Sequence, residues 1–462
     1  MDSNISRRDL LKYAGSGALT CLAVPSFTPR IANAEEKDPH FILQVIFPGG
    51  MDTHYLFDAR PLEMTKNKLI QNYIGEEPNI WTGSNGQSTL ATKLTNPLKP
   101  YKDYFSIING VVMDPTFDGH EQNMAFWYTG NPFGGEFFMP HLNKLGLPLD
   151  YADIGEGQVF VMMSNTSKGV PLTNKSMKGL TEKIKKLPRL GSESHLFNHV
   201  NRRMKAISQI GNGRFSGGAW AMQDALQNIS SLSDRISHLK LTETRADEKT
   251  KSSIDLMSEL FKAGITQSAS MVFKTDFGGQ VNLDVHSGED AKAQVTSLPT
   301  LIGEVATIFK TLKDTPYDAK RSMLDMTTVL VTTEFGRTMR GGGNFDESGT
   351  DHNSLVNTVL VGGKGIKGGQ VIGSSDYQSS NAKLSGAHKS FDAEAKCIMG
   401  NPFDFDKMIS RTDLPSAYDP KDYLTASSII NTVYKMYGVS KEQYRIIERN
   451  GPAARTLDGL LI

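Results

Sequence analysis

The stretch Phe41-Ile42-Leu43-Gln44-Val45-Ile46-Phe47-Pro48-Gly49-Gly50-Met51-Asp52 decides the fold class of this chain. An almost continuous apolar, β-branched run predicts a strand that is buried on both faces, as in a parallel sheet. The glycine pair that follows allows a sharp turn, and Asp52 emerges where the strand ends. Because ligands of open α/β sheets bind beyond the carboxyl ends of the strands, residues that follow a strand are candidates for a functional site.

Five further apolar runs end in Gly, Asp, Glu or Ser and predict the other strands. They are Phe105–Ile108, Gln158–Met163, Met271–Thr275, Thr327–Thr333 and Val356–Val361. Helical spacing of apolar residues predicts helices over Leu298–Leu312 and Asp422–Tyr437, the second of which stops at Gly438. Residues 196–262 are polar and helical in pattern, which predicts a helical insertion. The alternation of strands and helices indicates a large α/β domain with a mostly parallel sheet flanked by helices.

Acidic and histidine side chains gather near the predicted strand ends. Asp284 and His286 follow the strand over Met271–Thr275, and Asp351 and His352 come just before the last strand. Carboxylate and imidazole ligands suit Zn²⁺, Mn²⁺ or similar divalent ions. Together with Asp52 they would hold two ions about 4 Å apart, an arrangement that clamps both oxygens of a displaced ester. A single Asp-His pair is more often a turn or capping element, and that alternative stays open for each pair.

Composition excludes several classes of function. The chain has 462 residues, and 50 Lys+Arg balance 50 Asp+Glu. Strong electrostatic binding to nucleic acid or anionic lipid needs a basic excess, which is absent. Two cysteines exclude a disulfide framework and a Cys-rich zinc module. The Gly363-x-Gly365-x-x-Gly368 pattern resembles a dinucleotide fingerprint, but a turn and a short strand are predicted after it, where the fingerprint requires a helix.

Residues 1–34 have the features of a twin-arginine export signal. Ser6-Arg7-Arg8-Asp9-Leu10-Leu11-Lys12 is followed by a modestly apolar stretch, Tyr13–Val24, and by the cleavage site Ala32-Asn33-Ala34. The apolar stretch is too short for a permanent membrane span. The alternative is an amphipathic helix that happens to contain two arginines. Cleavage would leave a single α/β domain over residues 35–462, with 46 basic and 48 acidic residues.

Several motifs together carry a resemblance to a known family. In chain order they are Gly49-Gly50-Met51-Asp52, Asp284-x-His286, Thr333-Glu334-Phe335-Gly336-Arg337-Thr338, Gly349-Thr350-Asp351-His352 and the glycine-rich run over residues 361–369. The chain resembles the family called domain of unknown function 1501, twin-arginine-exported members of the alkaline-phosphatase/sulfatase-like superfamily. The resemblance implies a three-layer, alkaline-phosphatase-like α/β fold that binds one or two divalent ions, with Zn²⁺ or Mn²⁺ favoured.

The resemblance also implies which residues bind metal. On the family's pattern, Asp52, Asp351 and His352 share one ion, whereas Asp284 and His286 bind the other.

Catalytic roles are implied less directly. Phosphatases carry a Ser or Thr nucleophile at the start of a helix that ends in Thr-Gly, and here His120 takes that place ahead of Thr129-Gly130. His120 is then a nucleophile, a metal ligand, a general acid or base, or a remnant in a protein that no longer hydrolyses anything. Thr53 is an alternative nucleophile. His388 matches the position of a further histidine ligand in the phosphatases.

Two residues of the Glu-Phe-Gly-Arg segment have open roles. Arg337 neutralises an anionic substrate as a bidentate fork, or it pairs with a nearby carboxylate. Glu334 is a metal ligand, or it orients a ligand from behind.

The sequence thus predicts an exported, metal-dependent hydrolase of phosphate or sulfate esters. It would be periplasmic or secreted, and it would engage the Tat translocase during export and a small or polymeric anionic ester as substrate. No nucleic acid partner and no permanent membrane span are expected. The alternative is a catalytically silent binding or assembly protein on the same fold, which the missing Ser/Thr nucleophile favours.

Overall fold

The computed structural model describes a central α/β unit built from many separate stretches of the chain. The described residues are 38–61, 77–113, 119–129, 138–143, 145, 147, 149, 151–154, 170–172, 235–236, 239, 241, 249–273, 283–284, 286, 288–337, 352–377, 398–413, 419–439 and 455–462, with residues 144, 285 and 287 among those left out.

The described strands and helices alternate along much of the chain. The strands are β1 (Phe41–Phe47), β2 (Asn79–Thr82), β3 (Ser88–Ala91), β4 (Phe105–Ile108), β5 (Ala152–Ile154), β6 (Val170–Leu172), β7 (Ser268–Val272), β8 (Thr327–Thr333), β9 (Gly336–Arg337), β10 (His352–Asn353), β11 (Val359–Gly363), β12 (Val371–Ile372), β13 (Ser375–Tyr377), β14 (Ile398–Gly400), β15 (Phe403–Asp404) and β16 (Ile409–Ser410). The α-helices are α1 (His120–Thr129), α2 (Lys249–Lys262), α3 (Gly288–Asp314) and α4 (Ala426–Met436).

The main sheet contains eight strands within the described part of the chain. Their order is β12-β4-β11-β8-β1-β7-β5-β6. β1 lies between β7 and β8 and is parallel to both. β11 alone among these eight runs antiparallel, to β4 on one side and to β8 on the other. The carboxyl ends of the other seven strands therefore meet at one edge of the sheet, which we call the carboxyl edge; the opposite edge is the amino edge.

All seven residues of β1 are buried, as its sequence predicts. Phe41, Leu43, Val45 and Phe47 belong to a core cluster that also contains apolar side chains of α2 and α3. Ile42 and Ile46 belong to a second cluster that contains side chains of α1 and α4. The predicted α/β class, with a mostly parallel sheet between two layers of helices, is confirmed.

The two predicted helices are present. α3 contains the predicted Leu298–Leu312 and begins earlier, at Gly288. α4 begins at Ala426, not at Asp422, because the Thr425 and Ser428 side chains form a capping box there. Gly438, with φ of 63°, follows its end as predicted.

Three predicted strands have the observed bounds, and two are displaced along the chain. β7 lies over Ser268–Val272, earlier than the predicted Met271–Thr275, because buried serines replace apolar residues in its first half. Ser268 satisfies its hydroxyl by donating to the Met139 carbonyl, at 3.1 Å. β11 lies over Val359–Gly363, later than the predicted Val356–Val361, because Asn357 instead donates a side-chain hydrogen bond to the Thr333 carbonyl, at 2.8 Å.

Other predictions fall wholly or partly outside the described residues. These are the export signal over residues 1–34, the strand over Gln158–Met163 and most of the helical insertion over 196–262, of which α2 forms the end. The glycine pattern over 363–368 leads into β12, a short strand, as predicted. No helix within the described ranges is both long and apolar enough to cross a membrane.

Candidate metal centre

A short antiparallel ribbon brings the two most distinctive motifs together at the carboxyl edge. Glu334 and Phe335 follow β8 directly, and β9 then pairs with β10. In this pairing His352 lies opposite Arg337, and Asn353 lies opposite Gly336. The Glu-Phe-Gly-Arg motif and His352 therefore form one structural unit.

Four side chains converge beside this ribbon. One potential ligand atom from each of His120, Asp284, His286 and His352 lies within 4.8 Å of the others. We call these four residues the ligand cluster. Asp284 Oδ1 is at its centre, 3.2 Å from His120 Nε2, 3.0 Å from His286 Nε2 and 4.0 Å from His352 Nε2. Three imidazoles and a carboxylate form a donor set that suits Zn²⁺.

His120, the first residue of α1, has partners at both ring nitrogens. Nδ1 is hydrogen-bonded to the buried Glu334 carboxylate, and Nε2 faces Asp284. A neutral ring that donates from Nδ1 would turn an Nε2 lone pair toward a carboxylate oxygen, which is repulsive. Two states relieve the repulsion: an imidazolium that donates from both nitrogens, or a cation between Nε2 and Asp284.

The pKa of His120 agrees with a positive charge at this position. Burial by itself lowers the pKa of His120, but the hydrogen bond and charge of Glu334 and the charge of Asp284 outweigh it, so the pKa is raised. The negative field that raises the pKa would equally attract a metal cation.

Arg337 is completely buried and supports the cluster from behind. Its Nε donates to the Gly50 carbonyl at 3.1 Å, and Nη2 donates to the carbonyls of Gly49 and Leu283 and to Asp284 Oδ1, the last at 2.9 Å. Of the two roles that the sequence leaves open for Arg337, this geometry favours the ion pair with a carboxylate.

Arg337 and Asp284 also shift each other's pKa. Burial lowers the pKa of the Arg337 guanidinium, although Asp284 acts in the opposite direction. Burial raises the pKa of Asp284, but the hydrogen bond from Arg337 and the positive charges around it outweigh this, and the pKa lies below its usual range. Asp284 is therefore ionised at neutral pH, as a metal ligand must be.

The turn after β1 is shaped to receive Arg337. Gly49 and Gly50 have φ of 104° and 78°, a region that disfavours other residues. These conformations present the two glycine carbonyls to the guanidinium. The glycine pair that the sequence links to a sharp turn thus also forms part of the support for Asp284.

Asp52 lies in the same turn but is not a member of the ligand cluster. Its carboxylate caps a short 3-10 helix by accepting a hydrogen bond from the His54 amide at 3.0 Å. Burial raises the pKa of Asp52 to about 7, against the lowering effects of that hydrogen bond and of Arg337. Thr53 is fully buried in the same turn. Asp351 and His388 lie outside the described residues.

Sequence reasoning missed two contributors to the site. Phe335 contacts two of the histidines, and the Leu283 carbonyl helps to hold Arg337. The position of Phe335 inside the Glu-Phe-Gly-Arg segment was a usable clue, but no residue-type pattern marks a backbone carbonyl. The link between His120 and Glu334, more than 200 residues apart, also had no local signature.

Comparison with known proteins gives a family. Residues 160–395, just over half of the chain, match the model of the family described as "Protein of unknown function (DUF1501)". The chain belongs to this family. The DUF1501 match contains Asp284, His286, Glu334, Arg337 and His352, whereas His120 precedes it. No curated protein matches the sequence.

The DUF1501 chain is also similar to solved structures. One is the C-terminal periplasmic domain of EcEptC from Escherichia coli in complex with Zn, at 10% identity, with 94% of this chain and 96% of that chain covered and a TM-score of 0.35. Another is the alkaline phosphatase from the Antarctic bacterium TAB5, at 11% identity, with 76% and 99% covered and a TM-score of 0.28.

Proposed function

We propose that this chain is an exported, metal-dependent hydrolase of phosphate or sulfate esters. One observation carries the proposal: His120, Asp284, His286 and His352 bring four potential ligand atoms within 4.8 Å of one another at the carboxyl edge. This edge is where open α/β sheets bind their ligands.

The donor set fits a divalent ion. Ligands of a tetrahedral zinc ion lie about 3.4 Å apart, since each bond is about 2.1 Å long. The distances of Asp284 Oδ1 from His120 and His286, 3.2 and 3.0 Å, are close to this value. An ion held here would withdraw electrons from an ester oxygen and stabilise the charge that develops as the ester bond breaks.

The surrounding residues have distinct roles in this proposal. His120 is a ligand in preference to a nucleophile, because Glu334 holds Nδ1 and Nε2 faces the carboxylate of Asp284. Glu334 orients its ring through Nδ1 and leaves Nε2 for the ion, as carboxylates behind metal-binding histidines do. Arg337 fixes Asp284 in place. Asp284 and His286 are about half exposed, 48% and 50%, so the substrate enters from their side.

The remaining candidates belong to a second ion. We infer that Asp52 and Asp351, the neighbour of His352 in sequence, bind it. His388 is the weakest candidate, and either Zn²⁺ or Mn²⁺ satisfies this all-N/O site.

The test is a native purification followed by elemental analysis and a screen of aryl phosphates, phosphodiesters and sulfates. Turnover is expected to require the bound metal and to be lost in Asp284→Asn and His352→Ala. The His40→Gln variant, altered at the amino edge, serves as the matched control and should keep both metal and turnover. Metal-free protein with no turnover would contradict the proposal.

Export is tested separately. Arg7→Lys combined with Arg8→Lys should leave the chain in the cytoplasm, whereas the unaltered chain is found in the periplasm or the medium. Equal distribution of both forms would reject the twin-arginine route without affecting the metal centre.

A second candidate function is a catalytically silent binding or assembly protein. The burial of Arg337 favours it, because this guanidinium is turned to Asp284 and backbone carbonyls and does not face a substrate. A pulldown from periplasmic extract should then find a stable partner. Turnover that disappears in His120→Ala would exclude this function.

A further inference from the structure

Phe335 lies against the metal centre without being one of its ligands. Its ring centroid is 4.6 Å from that of His352 and 5.0 Å from that of His120. The Arg337 guanidinium carbon lies 5.6 Å from the same ring. One aromatic side chain therefore contacts two of the four potential ligands and the arginine that supports a third.

The position of the ring is tightly defined. Phe335 is completely buried. A Cβ at Gly50 would lie 2.3 Å from Phe335 Cε2, so the glycine leaves room that the ring fills. With backbone on one side and two imidazoles on the other, the ring holds the planes of His120 and His352 in fixed orientations.

The cluster consequently has one side that an apolar ring covers in part and one open side. Phe335 covers part of the surface of His120 and His352, although the His120 side chain stays 31% exposed, and the half-exposed Asp284 and His286 form the open side. A phenyl ring offers no oxygen ligand and, when fully packed, no space for a water molecule. Through the ring itself, therefore, no additional ligand can approach a bound ion.

We propose that Phe335 is a positioning residue that limits the number of ligands around the ion and so selects Zn²⁺ over Mn²⁺. This inference rests on the metal centre of the proposed function. Zn²⁺ is satisfied by four ligands in a tetrahedron, whereas Mn²⁺ prefers six, mostly oxygen and including waters. A site with an apolar ring on one side suits the four ligands of Zn²⁺ better than the six of Mn²⁺.

The test compares Phe335→Leu with the unaltered chain in three measurements. These are Zn²⁺ and Mn²⁺ affinities by chelator competition, the visible absorption of bound Co²⁺, and the free energy of unfolding. Loss of the ring should lower the ratio of Zn²⁺ to Mn²⁺ affinity about tenfold, as loss of outer contacts to metal ligands typically does. The Co²⁺ absorption should weaken, because six-coordinate Co²⁺ absorbs less than four-coordinate Co²⁺.

Phe105→Leu is the matched control. Phe105 is equally buried and stacks near Phe309 in the other core cluster, away from the ligand cluster. It should lower stability and leave the affinity ratio and the Co²⁺ spectrum unchanged. Phe335→Met, whose unbranched side chain adapts to irregular space, replaces Phe335→Leu if the leucine variant does not fold.

The outcomes separate this inference from the proposed function. An unchanged affinity ratio and Co²⁺ spectrum in a folded Phe335 variant would overturn the selection role while the metal centre stands. If the ratio of Zn²⁺ to Mn²⁺ affinity shifts but the unaltered chain hydrolyses no ester, the role of Phe335 is supported and the hydrolase function is rejected. An unaltered chain that binds neither ion would overturn both.

Discussion

The two edges of the sheet each hold a partly buried histidine, and the pKa values of the two are shifted in opposite directions. At the carboxyl edge, Glu334 and Asp284 raise the pKa of His120. At the amino edge, burial together with the charge of Lys364 lowers the pKa of His40 to about 4. His40 Nε2 lies 2.7 Å from the Thr328 hydroxyl and 3.2 Å from the Lys364 carbonyl, and its ring stacks on Tyr437.

The difference between the edges lies in the charge of the neighbours. His40 has a hydroxyl, a carbonyl and the Lys364 ammonium group around it, and the charge of Asp38, which is paired with Lys364, does not outweigh burial. His120 has two carboxylates, which call for a positive charge, either a proton or a metal ion. Burial alone therefore does not mark a functional histidine, whereas two carboxylates next to its ring do.

The largest effect is expected from removing the buried arginine of the carboxyl edge. Arg337→Met leaves Asp284 and three backbone carbonyls without their donor, and should lower the free energy of unfolding by about 3 kcal/mol. The matched change at the amino edge, Arg321→Met, removes exposed ion pairs with Asp38 and Asp318 and a cation–π contact with Tyr317, and should cost less than about 1 kcal/mol. Urea denaturation measures both, and similar losses would show that the two edges do not differ in this way.

The next effect is a pH dependence that arises at the amino edge. Because the pKa of folded His40 is lowered to about 4, the unfolded chain binds this proton first as the pH falls. Above about pH 6.5, His40 has no effect on the free energy of unfolding. From there down to about pH 4 it lowers this free energy progressively, by at most about 3 kcal/mol. His40→Gln should remove that part of the slope in unfolding free energy against pH. Parallel curves for the two proteins between pH 6.5 and 4 would refute it.

A smaller effect should follow from Glu334→Gln at the carboxyl edge. Without the carboxylate on Nδ1, the His120 ring is a weaker and less oriented ligand, and metal affinity should fall about 10- to 100-fold. Asp38→Asn, which removes a carboxylate from the amino edge, should leave the affinity unchanged. Calorimetric titration with Zn²⁺ distinguishes the two variants, and equal affinities for both would count against the role of Glu334.

The smallest effect concerns α4, which joins the two edges. The helix begins at the Thr425 cap, next to Val112 beyond the end of β4, and ends next to Tyr437, which stacks on His40. Thr425→Ala should cost about 1 kcal/mol and speed amide exchange in the first turn. The last turn, at the amino edge, should keep its exchange rates. Uniform acceleration along α4 would mean that the helix opens as one unit.

Much of the carboxyl edge was predictable from the sequence because strand ends carry recognisable residue types. The bounds of β1, β4 and β8 follow from apolar runs, and Asp284, His286 and His352 were predicted as metal ligands near strand ends. The structure brings these three together with His120. Their roles in binding metal stay predictions.

The features of the fold and the site that could not be predicted from the sequence depend on long-range packing. The reversed direction of β11 has no signature in an apolar run, and β7 was displaced because its first residues are buried serines. The grouping of His352 with Asp284 and not with Asp52 depends on the pairing of β9 with β10. The amino-edge contacts of His40 join three distant segments, and no motif marks them.

The pairing of β9 with β10 has a consequence for how this family can vary. His352 is placed by its ladder position opposite Arg337, so the number of residues between the two strands does not determine where its imidazole lies. Relatives can lengthen or shorten that connection while the histidine keeps its place. A shift of one residue within the ribbon would instead turn His352 to the opposite face and remove it from the cluster.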